Sequence, residues 1–161
     1  VFEAEGPSVL PEAFEAWEAS KITSTPMEAI PDQDACGFCE WKAWCPAWLW
    51  AQTQGQLKPT GIFRDMVATF EKIEIENGIC LVERMAPIND QGELAPTGQR
   101  AGAVFAGQAL SQLKALVEDG HTGPVFLGGV RLDGETWKLG DWCDVLPWSP
   151  LLEGRKRKKA E

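Results

Sequence analysis

The spacing of apolar residues predicts one clear helix in the second half of the chain. It covers Phe105–Glu118, FAGQALSQLKALVE, and the Asp119-Gly120 pair that follows is a typical helix stop. Four apolar side chains of this segment share one helical face. They are Leu110, Leu113, Leu116 and Val117.

Short apolar runs separated by turn residues predict strands on both sides of this helix. Ahead of it, Ile79–Met85 is entered through Asn77-Gly78, a pair typical of tight hairpin turns. Behind it, Pro124–Leu132 and Glu135–Leu146 are joined at Asp133-Gly134, a second pair of that kind. The pattern therefore predicts a second half that is rich in strands.

The segment Gly61–Ile75 fits two structures. Its apolar residues have helical spacing, but a bulged and strongly coiled strand gives a similar irregular pattern. As a strand, it leaves one strand before the helix without an assigned segment in the order β-β-β-α-β-β. That is the order of the oligonucleotide/oligosaccharide-binding (OB) fold, a five-stranded barrel with a helix between strands three and four. As a helix, it makes the domain a small α+β unit. We favour the barrel. The residues with helical spacing are Ile62, Met66, Phe70 and Ile73.

Composition divides the chain into three regions. Residues 1–54 are acidic and rich in Trp and Cys, residues 55–150 contain the expected barrel, and residues 151–161 form a basic tail. In the first region, helices are predicted over Pro11–Ile22 and directly after Cys45-Pro46. We therefore expect a mainly β protein, with a small helical segment that carries a cysteine cluster, followed by an OB-like five-stranded barrel.

Charge is distributed unevenly along the chain. The sequence has 15 basic and 24 acidic residues and a net charge of −9, but five basic residues and one acidic residue stand in the last seven positions. The rest of the chain carries a net charge of −13, so its surface as a whole does not attract nucleic acid. No run is long and apolar enough for a membrane span, and the first residues lack the positive charge of a signal peptide. We expect a cytoplasmic protein that has no membrane partner.

The strongest chemical signal is the segment CGFCEWKAWCP, in which Cys36, Cys39 and Cys45 form a C-x2-C-x5-C pattern. Two thiolates separated by two residues can bind one metal centre, and the interleaved aromatic residues keep water away from it. Cytoplasmic cysteines are seldom paired in disulfides. Metal binding is therefore the favoured interpretation of this cluster.

The string PDQDACGFCEWKAWCPAW resembles the C-terminal end of iron–sulfur PD-(D/E)XK nucleases, which include RecB-like and AddB-type repair exonucleases. In that family, three C-terminal cysteines join a fourth, upstream cysteine to bind a 4Fe–4S cluster. The resemblance covers about residues 8–50 and implies that Cys36, Cys39 and Cys45 bind such a cluster. It also implies a role in DNA repair, with an upstream nuclease domain or a helicase subunit as partner.

The family's catalytic residues have no counterpart in this chain. No cysteine precedes Cys36, and the chain lacks the tyrosine of the family's glutamine-tyrosine element. One literal match to the catalytic string, Asp32 with Glu40-Trp41-Lys42, is interrupted by two cysteines, whereas the nuclease chemistry needs these groups to converge on one metal ion from neighbouring strands. We therefore expect no catalytic site here, and we expect the chain to be the C-terminal part of a longer nuclease.

Single-stranded DNA is the expected partner of the barrel. In OB folds, bases stack on aromatic side chains of strands two and three, and basic side chains follow the phosphates. The candidate contacts on the barrel are Arg84, Arg100 and Phe105, with Lys58 adding charge. The candidate contacts in the tail are Arg155, Lys156, Arg157, Lys158 and Lys159.

A second hypothesis is a non-enzymatic, zinc-stapled module that binds a protein partner, which the acidic composition favours. Structural zinc sites have four ligands, so Cys80 or Cys143 would supply the fourth. Both cysteines lie in predicted strands, where a small buried thiol is the commoner finding. The identity of the metal separates the two hypotheses, because a 4Fe–4S cluster absorbs visible light and zinc does not.

Overall fold

The computed structural model describes residues 30–39 and 41–149, and these residues belong to one compact unit. The helix predicted over Pro11–Ile22 and the candidate DNA contacts at positions 155–159 lie outside the described residues. Within the described part of the chain, no helix is both long and apolar enough to cross a membrane.

Five strands close into a barrel. They are β1 (Phe63–Glu74), β2 (Ile79–Pro87), β3 (Leu94–Phe105), β4 (Val125–Asp133) and β5 (Thr136–Leu139). The order around the barrel is β1-β2-β3-β5-β4, and β4 pairs again with β1. β3 and β5 run parallel, while the other neighbours are antiparallel. This is the OB-like barrel expected from the element order, so the predicted fold class is confirmed.

Two helices precede the barrel. They are α1 (Gln33–Gly37) and α2 (Pro46–Thr53), with a short 3-10 helix over Lys42–Trp44 between them. α2 confirms the helix predicted directly after Cys45-Pro46. Its first residue is a proline, whose fixed φ angle suits the first turn of a helix.

A third helix, α3 (Gly107–Glu118), connects β3 to β4 at the position that the OB order requires. The predicted helix is thus confirmed, but it starts two residues later than Phe105. Phe105 is instead the last residue of β3, where it pairs with Leu139 of β5. The apolar pattern alone did not separate the end of the strand from the start of the helix.

β1 is an irregular strand, which explains why its sequence also fits a helix. Its register shifts between Arg64 and Met66 against β4, and between Phe70 and Lys72 against β2. Each shift is a bulge that interrupts the alternation of inward and outward side chains. The strand interpretation of Gly61–Ile75 is therefore confirmed.

The strand predicted over Glu135–Leu146 is in fact two strands. β5 ends at Leu139, and β6 (Asp144–Pro147) then pairs with the other half of β4. The interruption between them is held by Cys143, whose Sγ donates to the Gly129 carbonyl at 3.1 Å and accepts the Gly140 N–H at 3.2 Å. These contacts turn the backbone away from the sheet and end the ladder.

Both predicted hairpins form, with turn residues that differ from the prediction. Asp133 pairs with Thr136, so the second hairpin turns one residue later, beginning at Gly134. The first hairpin has a longer loop that ends at Gly78, which has a φ of +64°. A Cβ at this position would lie 2.3 Å from the Phe105 carbonyl oxygen, so only glycine fits there.

Two hydrophobic clusters lie on opposite sides of the barrel wall. Val67 is buried between Met66 and Ala68 on β1, but it points outward while its neighbours point inward. The interior cluster includes Val82, Phe105, Leu113, Leu127 and Trp137. The outer cluster consists of Ala43, Trp48, Leu49, Ala51, Leu57, Val67, Phe126 and Trp148. The outer cluster joins α2 to the outer side of β1 and β4.

Candidate nucleic-acid interface and cysteine segment

Local sequence determines the turns of the cysteine segment, by which we mean the described residues between 30 and 54. Asp32 caps α1, because its carboxylate accepts two backbone N–H groups of the first turn at 3.0 and 2.8 Å. Cys45 caps α2 in the same way, since its Sγ accepts the N–H of Trp48 at 3.4 Å. Two short helices thus bring Cys36 and Cys45 against the outer cluster, where both side chains are partly buried.

The three thiols of the C-x2-C-x5-C pattern have different surroundings. Cys36 accepts the N–H of Asp32 at 3.3 Å, whereas Cys39 is exposed. Burial raises the pKa of Cys45, two backbone hydrogen bonds oppose that rise, and the neighbouring Cys36 and Cys39 add to it. Cys36 and Cys39 are therefore close enough to Cys45 to raise the pKa of its thiol.

Partial burial and N–H···S hydrogen bonds at Cys36 and Cys45 suit metal-bound thiolates. Among the residues described, however, no three His, Cys, Asp or Glu side chains form a group that could hold a metal ion. The metal centre therefore stays a prediction that rests on the spacing of the cysteines. Cys36 and Cys45 are the two positions whose surroundings fit it.

Neither cysteine considered as a fourth zinc ligand can serve that role, which corrects the expectation. Cys80 and Cys143 belong to the interior cluster, while Cys36 and Cys45 pack against the outer one, so the barrel wall separates the two pairs. Burial also raises the pKa of Cys80 to about 11, which disfavours the thiolate form that a metal ligand requires.

The two described residues of the literal match to the nuclease motif, Asp32 and Lys42, are engaged in separate contacts, and Glu40 lies outside the described residues. Asp32 is engaged as the cap of α1. The Nζ of Lys42 is 2.6 Å from the Asp65 carboxylate and 3.3 Å from the Gly37 carbonyl oxygen. Lys42 therefore tethers the cysteine segment to β1 rather than pairing with Asp32.

The three barrel residues predicted to contact DNA do not share a face. Phe105 is only 2% exposed and packs on Phe70 inside the barrel, with ring centroids 5.9 Å apart, so it cannot stack on a base. Arg84 lies opposite Ala68 in the strand register, and Ala68 faces the barrel interior. Arg84 is therefore on the inner side of the barrel wall, at one end of the barrel. Arg100 does lie on the outer side, where its Nε is 2.9 Å from the Glu71 carboxylate.

The register places a different set of residues on one uncovered face. Phe63 pairs with Arg131, Arg131 with Lys138, Lys138 with Val104, and Val104 with Ile79. Directly paired residues project from the same side of a sheet, and this side is the outer one because Trp137 and Leu139 point inward. We call these five residues the outer row.

The outer row combines an aromatic ring, two cations and two aliphatic side chains in line. Phe63 is 54% exposed, Ile79 46% and Val104 38%, and both cations are exposed. Strands lie about 4.8 Å apart, so the row extends for about 19 Å across the barrel. The next row along the strands adds Lys72, Leu81 and Gly102, and no atom obstructs the space above Gly102.

Sequence reasoning missed Phe63, Arg131 and Lys138. Phe63 belonged to the apolar pattern that fits both a helix and a strand, and the two cations are isolated positions in predicted strands. Only the pairing of β1, β4 and β5 brings them together. Comparison of the chain with protein-family models, with curated proteins and with solved structures found no match.

Proposed function

We propose that the barrel guides single-stranded DNA along the outer row, within the non-catalytic C-terminal part of an iron–sulfur, RecB-like exonuclease that acts in DNA repair. The observation that carries the proposal is the alignment of Phe63, Arg131 and Lys138 on the face that the cysteine segment leaves uncovered. The row continues through Val104 and Ile79 onto β3 and β2, the strands whose face binds oligonucleotides in OB folds.

The chemistry of the outer row suits a single strand better than a duplex. Bases that are not paired can stack on Phe63 and lie against Val104 and Ile79, at about 1–3 kcal/mol for each stacked base. Arg131 is placed to meet the phosphates, and Lys138 can do so by exchanging its exposed ion pair with Asp133 for them. The contact would weaken with salt as counterions are released. A duplex keeps its bases covered and gains only the phosphate contacts.

The wider context of the proposal rests on the cysteine motif. Cys36, Cys39 and Cys45 would bind the 4Fe–4S cluster together with a ligand outside the described residues, and an upstream nuclease domain or helicase subunit would supply the strand. We place the protein in the cytoplasm, where cysteines remain reduced. The five cysteines carry no disulfide, which agrees with that compartment.

The test measures binding of a labelled single-stranded oligonucleotide to the full chain at several salt concentrations. In Arg131→Gln/Lys138→Gln we expect weaker binding and a salt slope reduced by about 0.7 for each removed cation. The matched control is Lys114→Gln, because Lys114 is an exposed cation on α3, away from the outer row. Equal binding by the double variant and the control would rule out the outer row as the interface.

A second candidate function is a zinc-stapled module that binds a protein partner. Three exposed aliphatic side chains on the same face favour it, because clustered apolar surface is typical of protein interfaces. They are Ile79, Leu81 and Val104. A colourless protein that contains zinc and does not prefer single strands over duplex would support this candidate over the first.

A further inference from the structure

We infer that a small pocket beside Phe63, at the end of the outer row, receives one base of the bound strand. The inference rests on the proposed function and adds a specific subsite to it. The pocket lies between the cysteine segment and the start of β1, and Gln52, Trp48, Leu57, Asp65 and Phe63 line it, together with Cys36, one of the three proposed cluster ligands. We call it the base pocket.

The size of the base pocket restricts what can enter it. Its volume is about 160 Å³, well below the ~300–1,000 Å³ typical of sites for drug-sized ligands. A whole nucleotide with sugar and phosphates is too large, while a single planar ring system fits. The sugar and phosphates would then stay outside, on the barrel surface.

The apolar part of the base pocket is rigid. Trp48 and Leu57 are 6% and 7% exposed, so their side chains are fixed in the outer cluster. The Trp48 ring packs edge-on against Phe126 at a centroid distance of 6.0 Å. Phe63, in contrast, stands half exposed at the rim, where it can stack on an entering ring.

Charge in the base pocket disfavours an anion as the occupant. The Lys42 ammonium on its wall already pairs with Asp65 at 2.6 Å and lies 5.7 Å from the centroid of the Trp48 ring. Of the two lysines that line the pocket, Lys42 is thus neutralised by Asp65 and Lys58 is exposed to solvent, and the Asp65 carboxylate would repel a phosphate. A neutral ring with polar edges has no such penalty. Lys58, which also lines the pocket, and Arg131, which pairs with Phe63, are both exposed where phosphates would pass.

Gln52 provides the polar contact for a base edge. Its Nε2 donates to the Asp65 carbonyl at 3.5 Å, the long limit of a hydrogen bond, and its Oε1 accepts no hydrogen bond from the described residues. A side-chain amide offers a donor and an acceptor side by side, which matches the edge of a base. Gln33, which also lines the pocket, is not available, because both of its amide atoms bond the backbone of Lys58 at 2.8 and 2.7 Å.

The experiment uses single-stranded oligonucleotides that carry 2-aminopurine at one position at a time, with the full chain. We expect one position to show strong fluorescence quenching on binding, because that base enters the pocket against Trp48 and Phe63. In Gln52→Leu the affinity should fall by about fivefold or more and the selective quenching should disappear. Gln54→Leu is the matched control, since Gln54 is exposed just after the end of α2 and does not line the pocket.

Each outcome separates the inference from the proposed function. If Gln52→Leu binds and quenches as wild type does, or if all positions are quenched alike, the pocket is not a base subsite, while binding along the outer row can still stand. If the wild-type chain binds no single strand at low salt, the proposed function fails and the inference fails with it. Gln52→Ala is the second variant and must give the same result as Gln52→Leu, with thermal unfolding to check that both are folded.

Discussion

Lys42 of the cysteine segment and Asp65 of β1 form an ion pair of 2.6 Å between Nζ and Oδ2. The other oxygen of the same carboxylate accepts the N–H of Gly129 on β4 at 2.8 Å. Asp65 thus connects three parts of the chain, and it does so at the bulge where β1 slips against β4. Because of this bulge, the Asp65 side chain can contact both Lys42 and Gly129.

We expect this ion pair to stabilise the fold measurably, because its side chains are only 18% and 24% exposed. In a double-mutant cycle of Lys42→Met and Asp65→Asn, the coupling energy should be about 1 kcal/mol or more. Denaturant unfolding of the four proteins measures it.

The Lys138–Asp133 pair is the control for that cycle, since its side chains are 50% and 51% exposed. Exposed pairs typically contribute about 0.2–1 kcal/mol. A Lys42–Asp65 coupling no larger than that of the exposed pair would contradict the tethering role.

Two phenylalanines should respond oppositely to truncation. Phe105→Ala removes a fully buried ring and should lower the free energy of unfolding by about 3–5 kcal/mol. Phe63→Ala removes a half-exposed ring, so we expect a small loss of stability but clearly weaker binding of single-stranded DNA. Unfolding curves and oligonucleotide titrations on both variants provide the comparison. A stable Phe105→Ala that has lost DNA binding would instead favour the sequence-based assignment.

The fold was largely predictable because its signals are local. The hairpin pairs Asn77-Gly78 and Asp133-Gly134, the helix over Phe105–Glu118 and its stop each depend on a few neighbouring residues. The sequence pattern located no segment for β3, because glycines and polar residues interrupt its apolar positions, as at Gly98 and Gly102. The split between β5 and β6 depends on contacts of Cys143 with Gly129, which are distant in sequence.

The stability should decline with alkaline pH because of one buried thiol. The pKa of Cys80 is raised by burial from 9.0 to about 11, so the folded state holds this proton more tightly than the unfolded chain does. The protonated thiol therefore contributes about 1–3 kcal/mol to the free energy of unfolding below pH 9. This contribution is lost as the pH rises toward 11.

Unfolding measured between pH 8 and pH 11 tests this expectation. Cys80→Ala should lose the part of the alkaline decline that is due to the thiol. Val82→Ala is the control, because it truncates an interior side chain of the same strand and keeps the thiol. Parallel pH curves for wild type and Cys80→Ala would contradict the assignment.

The metal prediction is tested by removing one cysteine at a time. Because Cys36, Cys39 and Cys45 would share one centre, replacing any of them with Ser should release most of the metal and lower the melting temperature. Cys143→Ala should keep the full metal content, since its thiol lies inside the barrel. Iron and zinc analysis with visible absorption gives the readout, and full metal content in Cys39→Ser would refute the shared site.

The candidate interface was not predictable from sequence for a geometric reason. Arg84 and Arg100 are basic candidates for strands two and three. Whether each side chain points into or out of the barrel depends on the register shifts of β2 against its neighbours. Phe105 was chosen as an aromatic, although its position in the alternation points it inward. Phe63 and Arg131 become neighbours only when the barrel closes between β1 and β4.

The outer cluster has a consequence for how this chain can be divided in evolution or by engineering. A barrel excised at residue 55 would leave Val67, Phe126 and Trp148 facing water, since Trp48 and Leu49 cover them now. Recombination that transferred the barrel alone would therefore expose these apolar side chains and favour aggregation. Among the described residues, the smallest self-contained module is the barrel together with the helices that precede it, so a graft onto another protein should begin before Asp32.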